Sequence, residues 1–212
     1  MEFMKGRIIT KRYNSPCGEL LLGSYEDRLC LCNWTEEQHP GRVDRRLQSE
    51  FDAAFEAGAS EILDEAAFQL DQYFRRERKG FDIPLLFAGT DFQKTVWNKL
   101  LEIPYGHTVS YGEMAAAIGM PKSVRAVANA NGANAISIFV PCHRVIGSDR
   151  SLTGYGGGIG AKRYLLELEQ SENIIKFHCP PPSERAEKRD KERDAEIRDN
   201  STYYSRRKDI VT

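Results

Sequence analysis

Two breaks, Pro104-Tyr105-Gly106 and Gly119-Met120-Pro121, cut the middle of this chain into helices too short to stand alone in water. Thr90 or Asp91 can cap a first helix, in which Phe92, Val96, Leu100 and Ile103 share one face. Ser110 starts a second, predicted to reach Ile118, with Glu113 three residues on in the capping-box arrangement. Beyond the glycine turn a third is predicted from Ser123 to Asn131. Such helices persist only by packing on one another, so the stretch reads as a small helical unit. Two short helices around a glycine-containing turn read as a helix-turn-helix. Many helical hairpins bind no nucleic acid, so this pattern leaves DNA binding open.

Upstream, alternating apolar runs at Arg7 to Tyr13, Glu19 to Ser24 and Leu29 to Trp34 predict a three-stranded meander. Ser15-Pro16-Cys17-Gly18 and Glu26-Asp27 are its turns, and Gln38 to Gly41 is a loop. Val43 to Phe55 predicts a helix ended by Gly58. Ser60 caps another, with Leu63, Ala67, Leu70 and Phe74 on one face and Arg75, Arg76, Arg78 and Lys79 at its end. Phe81 to Phe87, with Pro84, reads as an extended connector. Downstream, Ile136 to Val140 predicts a buried strand ahead of Pro141-Cys142-His143-Arg144-Val145. Gly154-Tyr155-Gly156-Gly157-Gly158 is a glycine-rich loop, and Ala161 to Glu169 is a helix. The expected fold class is α/β: an N-terminal sheet-plus-helix domain over 1–87, then a mostly helical domain with the helix-turn-helix over 88–175. A charged tail follows over 176–212. From Glu184 to Asp199, 13 of 16 residues carry charge, so the tail cannot supply a core and reads as an appendage.

Lys and Arg number 30 against 31 Asp and Glu in 212 residues, so a uniformly basic, polyanion-coating surface is not expected, although a local basic face is. No apolar run reaches 18 residues, which excludes a membrane-spanning helix. Five cysteines without a secretion signal predict reduced thiols in a cytoplasmic compartment.

Cys142 is the first candidate for chemistry. Proline precedes it, His143 and Arg144 follow, and a thiol is a strong nucleophile only as thiolate, a form favoured by cationic or proton-accepting neighbours. A lone cysteine is more often buried and inert, and a lone histidine is more often a core residue bonded to backbone. The Cys-His-Arg cluster between an apolar run and a glycine loop tips the balance toward function. Adjacent strand residues face opposite ways, so His143 would reach the sulfur through a turn or a water. Cys30, Cys32 and His39 lack a fourth ligand and do not make a zinc pattern. Cys17 and Cys179 look incidental. Arg125, early in the third short helix, is either a solvated arginine or a contact to phosphate or an unpaired base. The small residues Ala126, Ala128, Ala130 and Gly132 fit close approach to a groove floor or tight packing equally well.

Taken together, Ser110-Tyr111-Gly112, Arg125-Ala126-Val127, Asn134, Pro141-Cys142-His143-Arg144-Val145-Ile146, Thr153-Gly154-Tyr155 and Leu165-Leu166-Glu167-Leu168-Glu169 resemble the O6-alkylguanine-DNA alkyltransferases. The match is dense over about residues 90–170. The N-terminal part resembles the family's smaller, ribonuclease H-like domain, and the helix-turn-helix part its winged-helix-like one. The resemblance implies direct repair: double-stranded DNA is bound on the minor-groove side and an O6-alkylated guanine is flipped out. Its alkyl group, possibly also that of O4-alkylthymine, then moves irreversibly to Cys142, once per molecule. It assigns His143 as the base acting through a water and Glu169 as its orienter. Asn134 holds the turn. Tyr111 crowds the target phosphate and donates to the base, and Arg125 fills the vacated stack. Ser123, Ala126 and Ala130 complete the expected DNA-facing set with Arg125 and Tyr111, and Val145, Tyr155 and Gly156 form the base pocket.

The chain departs from familiar members at Ala135, where proline is common, at Gly156, where some carry serine, and at Tyr164, where tryptophan is frequent. No cofactor and no metal are expected, because the cysteine and histidine pairs that hold structural zinc in some members are absent. A monomer is expected, cytoplasmic or, in a eukaryote, nuclear. Cys142 excludes the sister group of alkyltransferase-like proteins, which carry tryptophan there. A thiol-dependent hydrolase and a non-catalytic DNA-binding regulator are the competing classes.

Overall fold

The computed structural model describes residues 6–36 and 41–170. The expectations for Gln38, His39, Cys179 and the tail over 176–212 lie outside the described residues.

The first three strands form the expected meander: β1 (Gly6–Ser15), β2 (Gly18–Tyr25) and β3 (Arg28–Trp34), with Ile9 opposite Ser24 and Leu22 opposite Cys32. The β2–β3 turn is Glu26-Asp27. Both residues are left-handed, at φ 47° and 56°, the two-residue geometry whose twist matches a hairpin. The predicted helix from Val43 to Phe55 is corrected. Helix α1 spans Arg42–Phe51, Asp52 turns left-handed at φ 44°, and Ala53–Ala57 is a strand, β4, parallel to β1. Ala-Ala-Phe-Glu-Ala has helical propensity, and pairing with the free edge of β1, from Gly6 opposite Ala53 to Thr10 opposite Ala57, overrides it. The sheet order is therefore β3-β2-β1-β4.

Helix α2 (Glu61–Phe74) packs on this sheet through Leu63, Ala66, Leu70 and Tyr73, a face turned slightly from the one expected, so that Ala67 and Phe74 are half-buried. Ser60 stands at its N-cap without capping it, and its hydroxyl instead accepts from Ser24 at 2.9 Å. The connector then runs along β3, with Leu29 N–H on Pro84 O and Leu86 N–H on Leu29 O, both at 2.9 Å.

Helix α3 (Asp91–Leu101) starts from a Thr90/Gln93 capping box. A two-residue strand, β5 (Val109–Ser110), leads into α4 (Tyr111–Ala117), which has the expected Ser110/Glu113 capping box, and α5 (Val124–Gly132) follows the Gly119 turn. The predicted strand from Ile136 to Val140 is corrected to a tight turn: Val140 N–H bonds Ile136 O at 2.9 Å and Ile138 is left-handed at φ 73°. These residues are apolar because both halves of the molecule close over them, not because they pair along a strand. Only Ile136 bridges a strand residue, Cys32. A single 3-10 turn, Cys142–Arg144, then leads into β6 (Val145–Ile146), parallel to β5, and α6 (Gly158–Glu169) closes the fold. One hydrophobic core runs through both halves, from Ile8, Leu31 and Trp34 to Trp97, Val127 and Leu165. Among the described residues no helix is long and apolar enough to cross a membrane.

Candidate active site

The left-handed Ile138 and the proline at 141 deliver Cys142 onto the 3-10 turn facing the end of α5. Asn134, just past α5, ties this geometry down. Its amide N–H group donates to Val140 O at 3.0 Å and to Cys142 Sγ at 3.2 Å, and its Oδ1 accepts from Ile136 N–H at 3.0 Å. Asn131 donates to Cys142 O at 3.2 Å. Cys142 is only 4% exposed. Burial pushes its thiol up, against the Asn134 bond and the positive charge of Lys162, so the resting group is a thiol that needs a base.

His143 follows on the same turn and is fully buried. Its Nε2 lies 2.9 Å from Glu169 Oε1, and its Nδ1 has no hydrogen-bond partner among the described residues. Burial lowers the imidazole's affinity for a proton, against the pull of Glu169, so His143 is neutral at pH 7. With a carboxylate at Nε2, that nitrogen carries the hydrogen and Nδ1 presents the lone pair.

Glu169, in the last turn of α6, collects donors from four places. Oε1 accepts from Tyr73 Oη at 2.7 Å and from His143 Nε2 and Arg144 Nη2 at 2.9 Å. Oε2 accepts from Arg144 Nε at 2.9 Å and Gly106 N–H at 3.0 Å. Burial alone would raise this carboxyl, and His143 and Arg144 outweigh it and hold it well below the usual carboxylate range. Arg144 is anchored on its far side by Ile103 O at 2.6 Å. Gly106 is left-handed at φ 75°, and a Cβ there would stand 3.0 Å from the Glu169 carbonyl oxygen, so glycine is required at this crossing.

Behind the 3-10 turn lies a buried cation outside the expected site set. Lys162 is fully buried in α6, and its Nζ donates to Val145 O at 2.7 Å and Thr153 O at 2.9 Å. Burial lowers its pKa to about 8. The half-buried Tyr111 hydroxyl reaches the same Thr153 carbonyl at 3.3 Å, and burial raises that phenol. Val145 and Tyr155 are buried beside Cys142, and the Tyr155 ring stands edge-on to Trp34 of β3 at 5.9 Å. Gly156 faces the same indole, and a Cβ at Gly157 would collide with it, so β3 seats the glycine loop.

On α5, Arg125 and Ala126 are exposed, and Ser123, at its N-cap, is half-buried. Ala130 is corrected: it is 2% exposed and faces inward, with its carbonyl accepting from Trp97 Nε1 at 2.8 Å, so it is part of the helix's packing rather than its outer face. Cys30 and Cys32 are buried in the core, and burial pushes the Cys30 thiol to about 12. Among the described residues no group of three or more His, Cys, Asp or Glu side chains is placed to hold a metal ion. The structure thus brings Asn134, Cys142, His143 and Glu169 together, with Tyr111, Val145 and Tyr155 around them. It adds Tyr73, Gly106, Arg144 and Lys162. Lys162 carried a readable signal, a lysine on the apolar face of Ala161, Leu165 and Leu166. Tyr73 carried none, because its partner is 96 residues away.

Two family models match the chain in tandem. The one for the 6-O-methylguanine DNA methyltransferase ribonuclease-like domain covers residues 8–87, and the one for the DNA binding domain of the same methyltransferase covers residues 91–171. The methylated-DNA–protein-cysteine methyltransferase of Methanosarcina acetivorans is 46% identical over 160 residues, 75% of this chain and 96% of the relative. The protein of the same name from Mycobacterium bovis is 60% identical over 106 residues, 50% of this chain and 64% of the relative. Among solved structures, Mycobacterium tuberculosis OGT in complex with DNA superposes with a TM-score of 0.65 at 45% identity, covering 78% of this chain and 93% of that one.

Proposed function

The chain belongs to the 6-O-methylguanine DNA methyltransferase family, and from that premise we propose how its own residues repair alkylated DNA by moving the alkyl group from guanine O6 to Cys142. The observation that carries the reading is the buried line from Asn134 through Cys142 and His143 to Glu169. The α4–α5 helix-turn-helix holds the duplex. A guanine inside the stack hides its O6, so the damaged nucleotide must be extruded, and poor pairing at the lesion lowers that cost. Arg125, exposed on α5, occupies the gap left behind.

In the reaction the Cys142 proton passes through a water to His143 Nδ1, while Nε2–H stays on Glu169. This is the base-plus-orienter logic of a catalytic triad. Sγ forms a bond to the alkyl carbon, the carbon–O6 bond breaks, and its electron pair leaves with guanine. Tyr111, whose hydroxyl reaches the Thr153 carbonyl, passes its proton to the departing base and regains one from solvent, while His143 releases to solvent the proton it took from Cys142, so one proton is lost and one gained overall. The product is a thioether, which no group in the site can cleave, so each molecule acts once. Two regions divide the work, 1–87 as scaffold and 88–175 as the reacting unit. A reduced thiol is indispensable, which supports a reducing compartment, the cytoplasm or a nucleus.

The test is transfer from duplex DNA carrying labelled O6-methylguanine, followed by peptide mapping. The expected outcome is at most one label per chain, on the peptide holding Cys142. Repeated turnover would point to a thiol hydrolase. DNA binding without transfer would point to a regulator, and label on Cys17, Cys30 or Cys32 would remove Cys142 from its role.

A further inference from the structure

Tyr73 comes from α2, in the sheet-bearing half, yet its hydroxyl ends on Glu169 in the catalytic line. It is fully buried, its ring wedged 5.5 Å from that of Phe81 and 6.1 Å from that of Tyr105. Its bond to Oε1 is 2.7 Å, against 2.9 Å for the His143 and Arg144 bonds to the same oxygen. We propose that Tyr73 is a positioning residue of the alkyl-transfer reaction: by donating to the Glu169 oxygen that also receives His143, it keeps the imidazole neutral and sets the pH above which Cys142 can be deprotonated. This rests on the function proposed above.

The physical case is competition for one oxygen. Each donor on Oε1 draws on the same negative charge, and the more of it Tyr73 takes, the less is left to stabilise an imidazolium at His143. Burial, reinforced by Glu169, drives the phenol well above its ordinary 10, so Tyr73 remains a donor at every working pH. The groups facing His143 are Glu169 and Lys162 from α6, Arg144 and Cys142 from its own turn, and Tyr155 from the glycine loop. Glu169 favours the imidazolium and the two cations oppose it. Tyr73 acts through Glu169 alone. The neighbouring Tyr105 supplies a natural control, because its hydroxyl bonds a backbone carbonyl, Leu168 O, at 3.3 Å.

The experiment uses the full chain at saturating protein, with a short duplex containing O6-methylguanine. Single-turnover transfer is followed from about pH 5 to pH 9, beside an NMR titration of the His143 ring. In Tyr73→Phe, His143 should hold its proton to higher pH, moving the acid limb of the rate upward by about one unit, with the alkaline plateau within about two-fold of the parent. Replacing Tyr73 by 3,5-difluorotyrosine, a stronger donor of nearly the same shape, should move the limb downward, and Tyr105→Phe should leave it in place. A rate lowered equally at every pH, with the His143 titration unmoved, would reduce Tyr73 to packing and overturn the proposal. If Tyr73→Phe does not fold, an unmoved limb in the fluorinated protein overturns it equally. Absence of transfer in the parent chain would defeat the proposed function instead, and the NMR titration would still decide the role of Tyr73.

Discussion

The two halves of the molecule use the same charged residues to opposite ends. On the sheet, Lys11 meets Asp64 at 2.6 Å with side chains 42% and 64% exposed, and Arg28 meets Glu26 at 3.5 Å with 43% and 65% exposed. In the helical half, Arg144 meets Glu169 at 2.9 Å with side chains 7% and 0% exposed. A surface pair contributes little, because water already solvates both partners and salt screens the rest. A buried pair must be fully hydrogen-bonded to exist at all, and that requirement fixes its atoms in place. The surface pairs of the sheet half therefore keep that surface wet, whereas the buried Arg144–Glu169 pair of the helical half fixes the carboxylate that receives His143. The sheet half contributes to that precision where it reaches across, through Tyr73 on Glu169, Trp34 under the glycine loop and Cys32 bridged to Ile136.

The sharpest way to break this contrast is Cys142→Ser. DNA binding should persist while transfer falls below detection, since a hydroxyl is a far weaker nucleophile at neutral pH. Gel-shift and label-transfer assays on the same preparation would show it, and residual transfer would mean another residue accepts the group. Next in size is Glu169→Gln, which leaves the Arg144 guanidinium buried against a neutral amide. A loss of about 3–5 kcal/mol in denaturant unfolding is expected, with transfer slowed as well. Acid should act on the same spot. Both Glu169 and His143 bind protons less readily folded than unfolded. The unfolded chain therefore takes up more protons, and stability present at neutral pH should fall as pH drops below the ordinary histidine value of 6.5 and further below the ordinary carboxylate value of 4.5. Urea midpoints that stay flat between those values would contradict the buried network.

Smaller still is Arg125→Ala, which should slow transfer from duplex DNA more than transfer from a free O6-alkylguanine base, because only the duplex has a vacated stack to fill. Equal losses would make Arg125 a fold residue. Smallest of all, Lys11→Ala should change the unfolding free energy by less than about 0.5 kcal/mol, and that little should vanish in salt. A larger cost would erase the distinction between the halves.

What could be read from the sequence follows the same division. The helix-turn-helix was legible because its signals are local: the Ser110/Glu113 capping box and the left-handed Gly119 turn do what those residues do anywhere. Cys142, His143 and Glu169 were legible from motif context, and the structure sets them in line. β4 was not, since Ala53 to Ala57 become a strand only because β1 has an edge to offer. The turn from Ile136 to Val140 looks like a strand in sequence because burial from two sides and strand pairing select the same apolar residues. The inward face of Ala130 is not legible either, because a small residue looks alike on either face of a helix. Tyr73 and the crossing at Gly106 depend on contacts 96 and 63 residues away, beyond any local pattern.

Glu169 also imposes an order in time. A ribosome delivers the residues that meet at this carboxylate in the sequence Tyr73, Gly106, His143, Arg144, and only then Glu169 itself. Until α6 has emerged and docked, a growing chain already displays Cys142 and His143 but has no carboxylate to orient the imidazole and no counter-charge for Arg144. The constellation proposed for transfer is therefore complete only when the last helix of the fold has been made, so its assembly is coupled to completion of the chain.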